Sequence, residues 1–349
     1  MRHGKRMLTL ALAACLAVLG LTACRDSRTL AMGSDGRPEI TLMVGGLNKV
    51  IYLPAMLTQQ LGGFAKQGLN VKLLDQSSGA NAETALISGQ VQGVVGFYDH
   101  TIDLQAKEQC ITSVVQMANI PGEVVMVGAR SGNTIRSAAD FRGRKMGITS
   151  LGSSTDFLTK ALASRAGVGG SDFTPVKVGA GQTFIAALNQ GGIDAGMTTD
   201  PTVAQLVQTG QGRVLYDLRT EQGTRDALGG LYPATALYMS CSIVDRYPDV
   251  ARRLAAAMVE TLRWIHQHNP EQIADAMPAG YAGGDRAQYV RSIRDSIGMF
   301  NADGRMDPEA ARNALRVLSS FSKNVQRHRD QVDLDRTYTT RFVDAAPAP

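Results

Sequence analysis

"ALISGQVQGVVG", residues 85–96, has an echo 102 residues further on in "ALNQGGIDAGMT", residues 187–198. Both open on Ala-Leu, place a glycine four residues after the alanine and set a β-branched residue two beyond it. Each reads as a helix stopped by glycine and followed at once by a strand. A second pair, "VKLL" (71–74) and "VKVG" (176–179), matches at an offset of 105. Each pair holds the same place in a strand–helix–strand run, so two similar α/β lobes are the economical reading. Chance likeness between common α/β fragments is the alternative.

Outward from these repeats, short β-rich runs alternate with helical patterns, the signature of α/β units around a mostly parallel sheet. The first half gives strands at 40–44, 71–74 and 91–97, with helices at 53–61 and 82–88. The second gives strands at 145–149, 176–178 and 193–197, with helices at 155–166 and 184–189. Phe157, Leu158, Ala161 and Leu162 share one helical face. Beyond a strand read over 236–244, helices take over. One spans 247–269 between Pro248 and Pro270, and another is opened by Asp307-Pro308.

The N-terminus reads as a leader. Arg2, Lys5 and Arg6 precede an uncharged apolar run at 7–20 and then small residues, the layout of a secretory signal. The run is short for a membrane span. Leu21-Thr22-Ala23-Cys24 resembles a bacterial lipobox, which implies cleavage before Cys24, a lipid on its thiol and a membrane anchor. A plain signal peptide cut elsewhere is the alternative. Residues 24–38 read as a tether and 341–349 as a tail. Removing residues 1–23 takes three basic residues and no acidic ones from the 36 and 31 of the whole chain, leaving a net charge of +2. There is no dense Lys/Arg run, so no nucleic-acid partner is expected. Of four cysteines, Cys110 and Cys241 remain unassigned. An exported chain can join them, but the sequence leaves their distance open.

Several stretches carry a family likeness: "YLPAMLTQQLGGFAKQGLNVKLL" (52–74), "IRSAADFRGRKMGITSLGSSTDFLTKALASRAGV" (135–168), "FIAALNQGGIDAGMTTDP" (184–201) and "YPDVARRLAAAMVETLRWIHQHNPEQIADAM" (247–277). In this order and spacing the chain resembles solute-binding proteins of ABC importers. It is most similar to the sulfonate/taurine/nitrate group, with the binders of thiamine pyrimidine precursors. The resemblance implies an α/β, two-lobed periplasmic-binding-protein fold of type II, hinged by two crossing strands. Lobe 1 would comprise 39–122 and 236–340, and lobe 2 would comprise 123–235. It also implies a periplasmic monomer that hands a small anionic or zwitterionic solute to a permease and its ATPase.

The resemblance further implies that the loops after the strands line a cleft. In "GITSLGSSTDFLTKALASRAG" (147–167) Thr149 ends a strand, Leu151-Gly152 turns the chain, and Ser153 or Ser154 is the expected N-cap. First-turn amides lack internal partners and lie at the positive end of the helix dipole. With Gly152 and the hydroxyls of Ser150, Ser153, Ser154 and Thr155, they form a cradle for a sulfonate, carboxylate or nitrate. A capped helix without ligand is the plainer reading of the same residues. Asp156 would repel an anion unless it turns away. From the other lobe, Asn48, Lys49 and Tyr52 follow the first strand, Ser78 and Gly79 precede a helix, and Tyr98 and Asp99 follow the third strand. Asp99 serves equally as an N-cap. In the second lobe Gln182 and Thr183 lead into a helix. Asp200 suits a ligand bearing an amine, or with Pro201 forms a capping pair.

An enzyme is the rival class. His3, His100, His266, His268 and His328 form no metal or nucleophile constellation, and no cofactor, metal or catalytic residue is expected. A related group uses this fold for pyrimidine synthesis with a cysteine-rich motif that has no counterpart here. A heteroaromatic ligand, or a sensory or adhesive role on the same fold, completes the alternatives.

Overall fold

The structure, a computed structural model, describes residues 29–345. Cys24 and the leader lie outside the described residues, as do 346–349. No helix among the described residues is long and apolar enough to cross a membrane.

Among the described residues eleven strands are interspersed with helices: β1 (Ala31–Met32), β2 (Pro38–Val44), β3 (Asn70–Asp75), β4 (Gly93–Phe97), β5 (Ile111–Gln116), β6 (Glu123–Gly128), β7 (Lys145–Ile148), β8 (Thr174–Lys177), β9 (Ala195–Thr199), β10 (Gly212–Asp217) and β11 (Thr235–Ser240). They form two mixed sheets with one plan. In the first, β3, β2 and β4 run parallel, and β11 lies antiparallel between β4 and β5. In the second, β8, β7 and β9 run parallel, and β6 lies antiparallel between β9 and β10. The antiparallel insert of each sheet is the strand with which the chain arrives from the other. It leaves after β5, enters as β6, and returns after β10 as β11. The α/β two-sheet architecture expected from the sequence is present.

The repeated motif has a physical cause. The helices Gly79–Ile87 and Gln182–Gln190 lead into β4 and β9, which begin 102 residues apart. Gly89 and Gly191 each reverse the chain with φ of 73° and 75°, a region where a side chain is strained. A helix that must end abruptly so that the next strand can enter the sheet needs glycine there.

The C-terminal helices fix both sheets. Pro248–Gln267 buries Leu254, Met258, Leu262 and an alanine run at 255–257. Those small side chains bring it close to the helix Leu53–Gln60, where Thr58 Oγ1 lies 2.8 Å from Thr261 Oγ1. The helices Arg286–Ser296 and Pro308–Ser319 reach over to second-sheet helices at Thr202–Gln208 and Ser154–Arg165. Cys110 and Cys241 form a disulfide joining the outer ends of β5 and β11, with Cα atoms 5.5 Å apart.

Three segments differ in kind from the sequence reading. Part of the tether joins the first sheet, since β1 pairs antiparallel with Pro38 and Glu39. The strand read over 236–244 stops at Ser240, whose hydroxyl accepts from the Ile243 amide and caps a helix at Cys241–Arg246. The tail begins with a helix, Arg341–Asp344, that buries Phe342 and Val343. In each case burial or a cap decides what local polarity left open.

Candidate functional site

The loops after the strands of both sheets meet on one small cavity. Lys49, Ile51, Tyr52 and Gly79 line it from the first sheet, Thr149, Ser153, Ser154, Thr155 and Thr199 from the second, and Glu123 from the start of the crossing strand β6. Its volume is about 10 Å³, room for roughly one water. Nothing much larger than a water fits between these walls as they stand. Larger hollows of about 540 and 500 Å³ lie elsewhere, but neither gathers strand-end loops from both sheets.

The second-sheet wall is the loop from β7 into the helix Ser154–Arg165. Its hydroxyls form a closed web. Thr149 Oγ1 lies 2.9 Å from both Ser153 Oγ and Thr155 Oγ1, and Ser153 Oγ donates to the Ser150 carbonyl at 2.6 Å. Ser153 makes no side-chain cap bond, and no described group pairs with the amides of Ser154 or Thr155. Two first-turn donors thus stay available beside the cavity. The Gly152 amide does not: it donates to Asp156 Oδ2 at 2.9 Å, and Lys160 holds the same oxygen at 2.7 Å. Asp156 therefore turns back on its own loop and takes Gly152 out of the expected cradle.

The first-sheet wall carries a cation. Lys49 is buried and donates to the carbonyls of Gly45 and Ser77 at 2.5 and 3.2 Å. Burial pulls its ammonium down to about 8, against the supporting charges of Glu123 and Asp75. Gly79 starts its helix so close to His100 that a β-carbon there would sit 2.7 Å from Nε2. Ser78 caps that helix through the Asn81 amide.

Behind this wall lies a bridge between the sheets. Asp99 is fully buried, accepting from Ser154 Oγ at 2.9 Å and from Tyr232 Oη at 2.8 Å. His100 Nδ1 lies 2.9 Å from Glu83 Oε2 and 4.0 Å from Asp99 Oδ1. Burial opposes charge on His100, but the Asp99 and Glu83 carboxylates outweigh it and push the imidazole up to about 9. Glu123 is held well above the usual carboxylate range by burial and by the charge of Asp99.

Of the sequence candidates, Lys49, Tyr52, Gly79, Ser153, Ser154 and Thr155 meet at the cavity. Ser78, Asp99 and Ser150 lie directly behind it. The others point elsewhere. Asn48 is exposed. Tyr98 bonds Thr337 through its hydroxyl at 2.6 Å. Gln182 pairs with Gln205 on the surface, and Thr183 donates to the Ala180 carbonyl. Asp200 is buried, with Oδ2 accepting from Arg219 at 2.9 Å and Ser296 at 3.0 Å and Oδ1 accepting from the Ala204 amide at 3.1 Å. Its carboxylate is committed to the protein, not to an incoming amine. Sequence reasoning passed over Glu123, Thr149, Thr199 and the His100–Glu83 pair. The one signal for Glu123 was an acid opening an otherwise wholly apolar strand, "EVVMVG".

Among the described residues no group of three or more His, Cys, Asp or Glu is placed to hold a metal ion. The family profile described as "NMT1/THI5 like" matches residues 51–273, more than half the chain. The chain belongs to the NMT1/THI5-like family. As such it has a solved relative from Bordetella bronchiseptica RB50, 32% identical, with a TM-score of 0.83 over 88% of this chain and 96% of that one. The alkanesulfonate-binding protein SsuA from Xanthomonas axonopodis pv. citri, 14% identical, superposes with a TM-score of 0.67 over 84% and 96% of the two chains. This NMT1/THI5-like chain therefore has the fold of periplasmic solute-binding proteins. The 4-amino-5-hydroxymethyl-2-methylpyrimidine phosphate synthase of Schizosaccharomyces pombe is 24% identical over 246 residues, 68% of this chain and 66% of that protein's length.

Proposed function

We propose that this NMT1/THI5-like protein is the solute-binding component of an ABC importer, held at a bacterial membrane by a lipid on Cys24. It captures a small anionic or zwitterionic solute between its lobes, residues 39–122 with 236–340 and residues 123–235, and delivers it to a permease and its ATPase. The observation that carries the reading is the convergence of both sheets on one cavity, with the Lys49 ammonium on one side and the free amides of Ser154 and Thr155 on the other. An oxyanion between them meets donors whose positions are already fixed. Closure brings the same walls together by hinge motion, and two bonds mark the closed state: Ser154 to Asp99, and the Val50 amide to the Asp200 carbonyl at 3.0 Å.

A heteroaromatic solute is the second reading, favoured by the buried Tyr52 ring in the wall and by the pyrimidine chemistry named for the fission-yeast relative. Catalysis is not part of the proposal. Cys110 and Cys241, the only cysteines among the described residues, are joined in a disulfide.

Native mass spectrometry of the purified protein, followed by thermal denaturation with the solute so identified, tests the proposal. Solute at 100 times its Kd should stabilise the fold by about 2.7 kcal/mol. A flat melting temperature across sulfonates, nitrate, zwitterions and pyrimidines overturns it.

A further inference from the structure

Glu123 stands apart from the other buried acids. Asp99 has Ser154 and Tyr232, Glu83 has His100, Asp156 has Gly152 and Lys160, and Asp200 has Arg219 and Ser296. Glu123 is 3% exposed and lines the cavity, yet its Oε2 has no hydrogen-bond partner. Lys49 lines the same cavity without pairing with it, being turned to the Gly45 and Ser77 carbonyls. A buried carboxyl without a partner is unfavourable, and a bare oxyanion brought beside it makes matters worse. A solute that carries its own donor removes the penalty.

We propose that Glu123 is the specificity determinant of the cleft, accepting hydrogen bonds from an amine or amidine group on the solute while Lys49 and the Ser154 and Thr155 amides hold its acidic or acceptor end. This deepens the solute-binding reading and rests on it. It narrows the solute class to small molecules with a donor and an acceptor at opposite ends, and it excludes nitrate and simple alkanesulfonates. Sites built to bond a polar group reject analogues that lack it far more strongly than apolar pockets reject a missing methylene.

The test uses probe pairs that differ only in the donor: taurine against ethanesulfonate, β-alanine against propionate, and 4-amino-2-methylpyrimidine against 2-methylpyrimidine. Each is titrated calorimetrically into the wild-type protein and into Glu123→Gln. At least one amine-bearing member should bind wild type at least 100-fold more tightly than its partner, and Glu123→Gln should cut that preference to below tenfold. Donor-free members that bind wild type as tightly as their amine partners overturn the inference and leave the solute-binding reading standing; this arm needs no variant to fold. A preference undiminished in a Glu123→Gln protein of native circular dichroism also overturns it. If no probe of any pair binds, the inference falls, and the solute-binding reading falls with it only where the melting temperature is flat with nitrate as well.

Discussion

At the scale of single residues, the protein keeps charge where water does not reach. His100 is fully buried between Glu83 and Asp99, with Phe157 and Tyr238 beside it. Its imidazole is raised from 6.5 to about 9, so the folded state binds a proton that the unfolded chain has released. The sign follows: the stabilisation is complete below pH 6.5 and drains away as pH rises toward 9. It amounts to at most ~3 kcal/mol. Urea unfolding at pH 6.5 and pH 9 should show this loss in wild type, and His100→Gln should be weaker at pH 6.5 and flatter across the interval. An equal slope in the variant assigns the effect to another group. A sequence reader sees only a lone histidine after an aspartate. The carboxylate of Glu83, 17 positions earlier in the chain, is brought beside it by the fold, and nothing in local spacing announces the pair.

At the scale of elements, the helix Ser154–Arg165 carries the part of the site that was legible in advance. A strand end, a glycine turn and a cluster of hydroxyls predicted a helix start; the helix begins at Ser154, and its first residues line the cavity between the sheets. The details differ because side chains compete for the same amides, and Asp156 wins Gly152. The remaining donors are backbone groups, so substituting hydroxyls alone cannot test them. Proline can, since Ser154 is the first helical residue and proline is tolerated there. Ser153 precedes it with an extended backbone (φ −80°, ψ 164°) that suits a following proline. Ser154→Ala removes only the hydroxyl and its bond to Asp99, at a cost of about 1 kcal/mol in solute affinity through the closed state. Ser154→Pro removes the amide as well, and calorimetry should show a further loss of about 1–3 kcal/mol for an oxyanion-bearing solute. Equal affinities in the two variants would remove the Ser154 amide from the site.

At the scale of the whole molecule, the two sheets are joined by more than their crossings. Asp200, from the second sheet, takes Arg219 and the Ser296 hydroxyl of a C-terminal helix, and its carbonyl takes the Val50 amide of the first sheet. Arg219 also reaches Asp217 at 2.6 Å and Asp295 at 3.7 Å. This cluster works as a clasp beside the cleft. Replacing Asp200 by asparagine keeps its shape and removes its charge, leaving the Arg219 guanidinium short of one buried partner. Denaturant unfolding should register a loss of about 3 kcal/mol, and small-angle scattering of the unliganded variant should give a larger radius of gyration than wild type. An unchanged radius confines Asp200 to stability.

The sequence by itself determined the two α/β units, because a helix-ending glycine followed by an apolar strand is a local pattern and it occurs twice at nearly constant offset. It also marked the serine-rich helix start, since capping and turn chemistry are written in adjacent residues. What the tertiary structure decided was which groups meet. Tyr98, Asp200, Gln182 and Thr183 sit at strand ends or helix starts like their neighbours, yet a rotation of the side chain toward Thr337, Arg219 or the surface takes each of them away from the cavity. Glu123 enters it because the chain crosses between sheets at that point. Burial, pairing and the emptiness of a carboxylate's hydrogen-bonding sites are sums over distant residues, and only the folded chain carries them out.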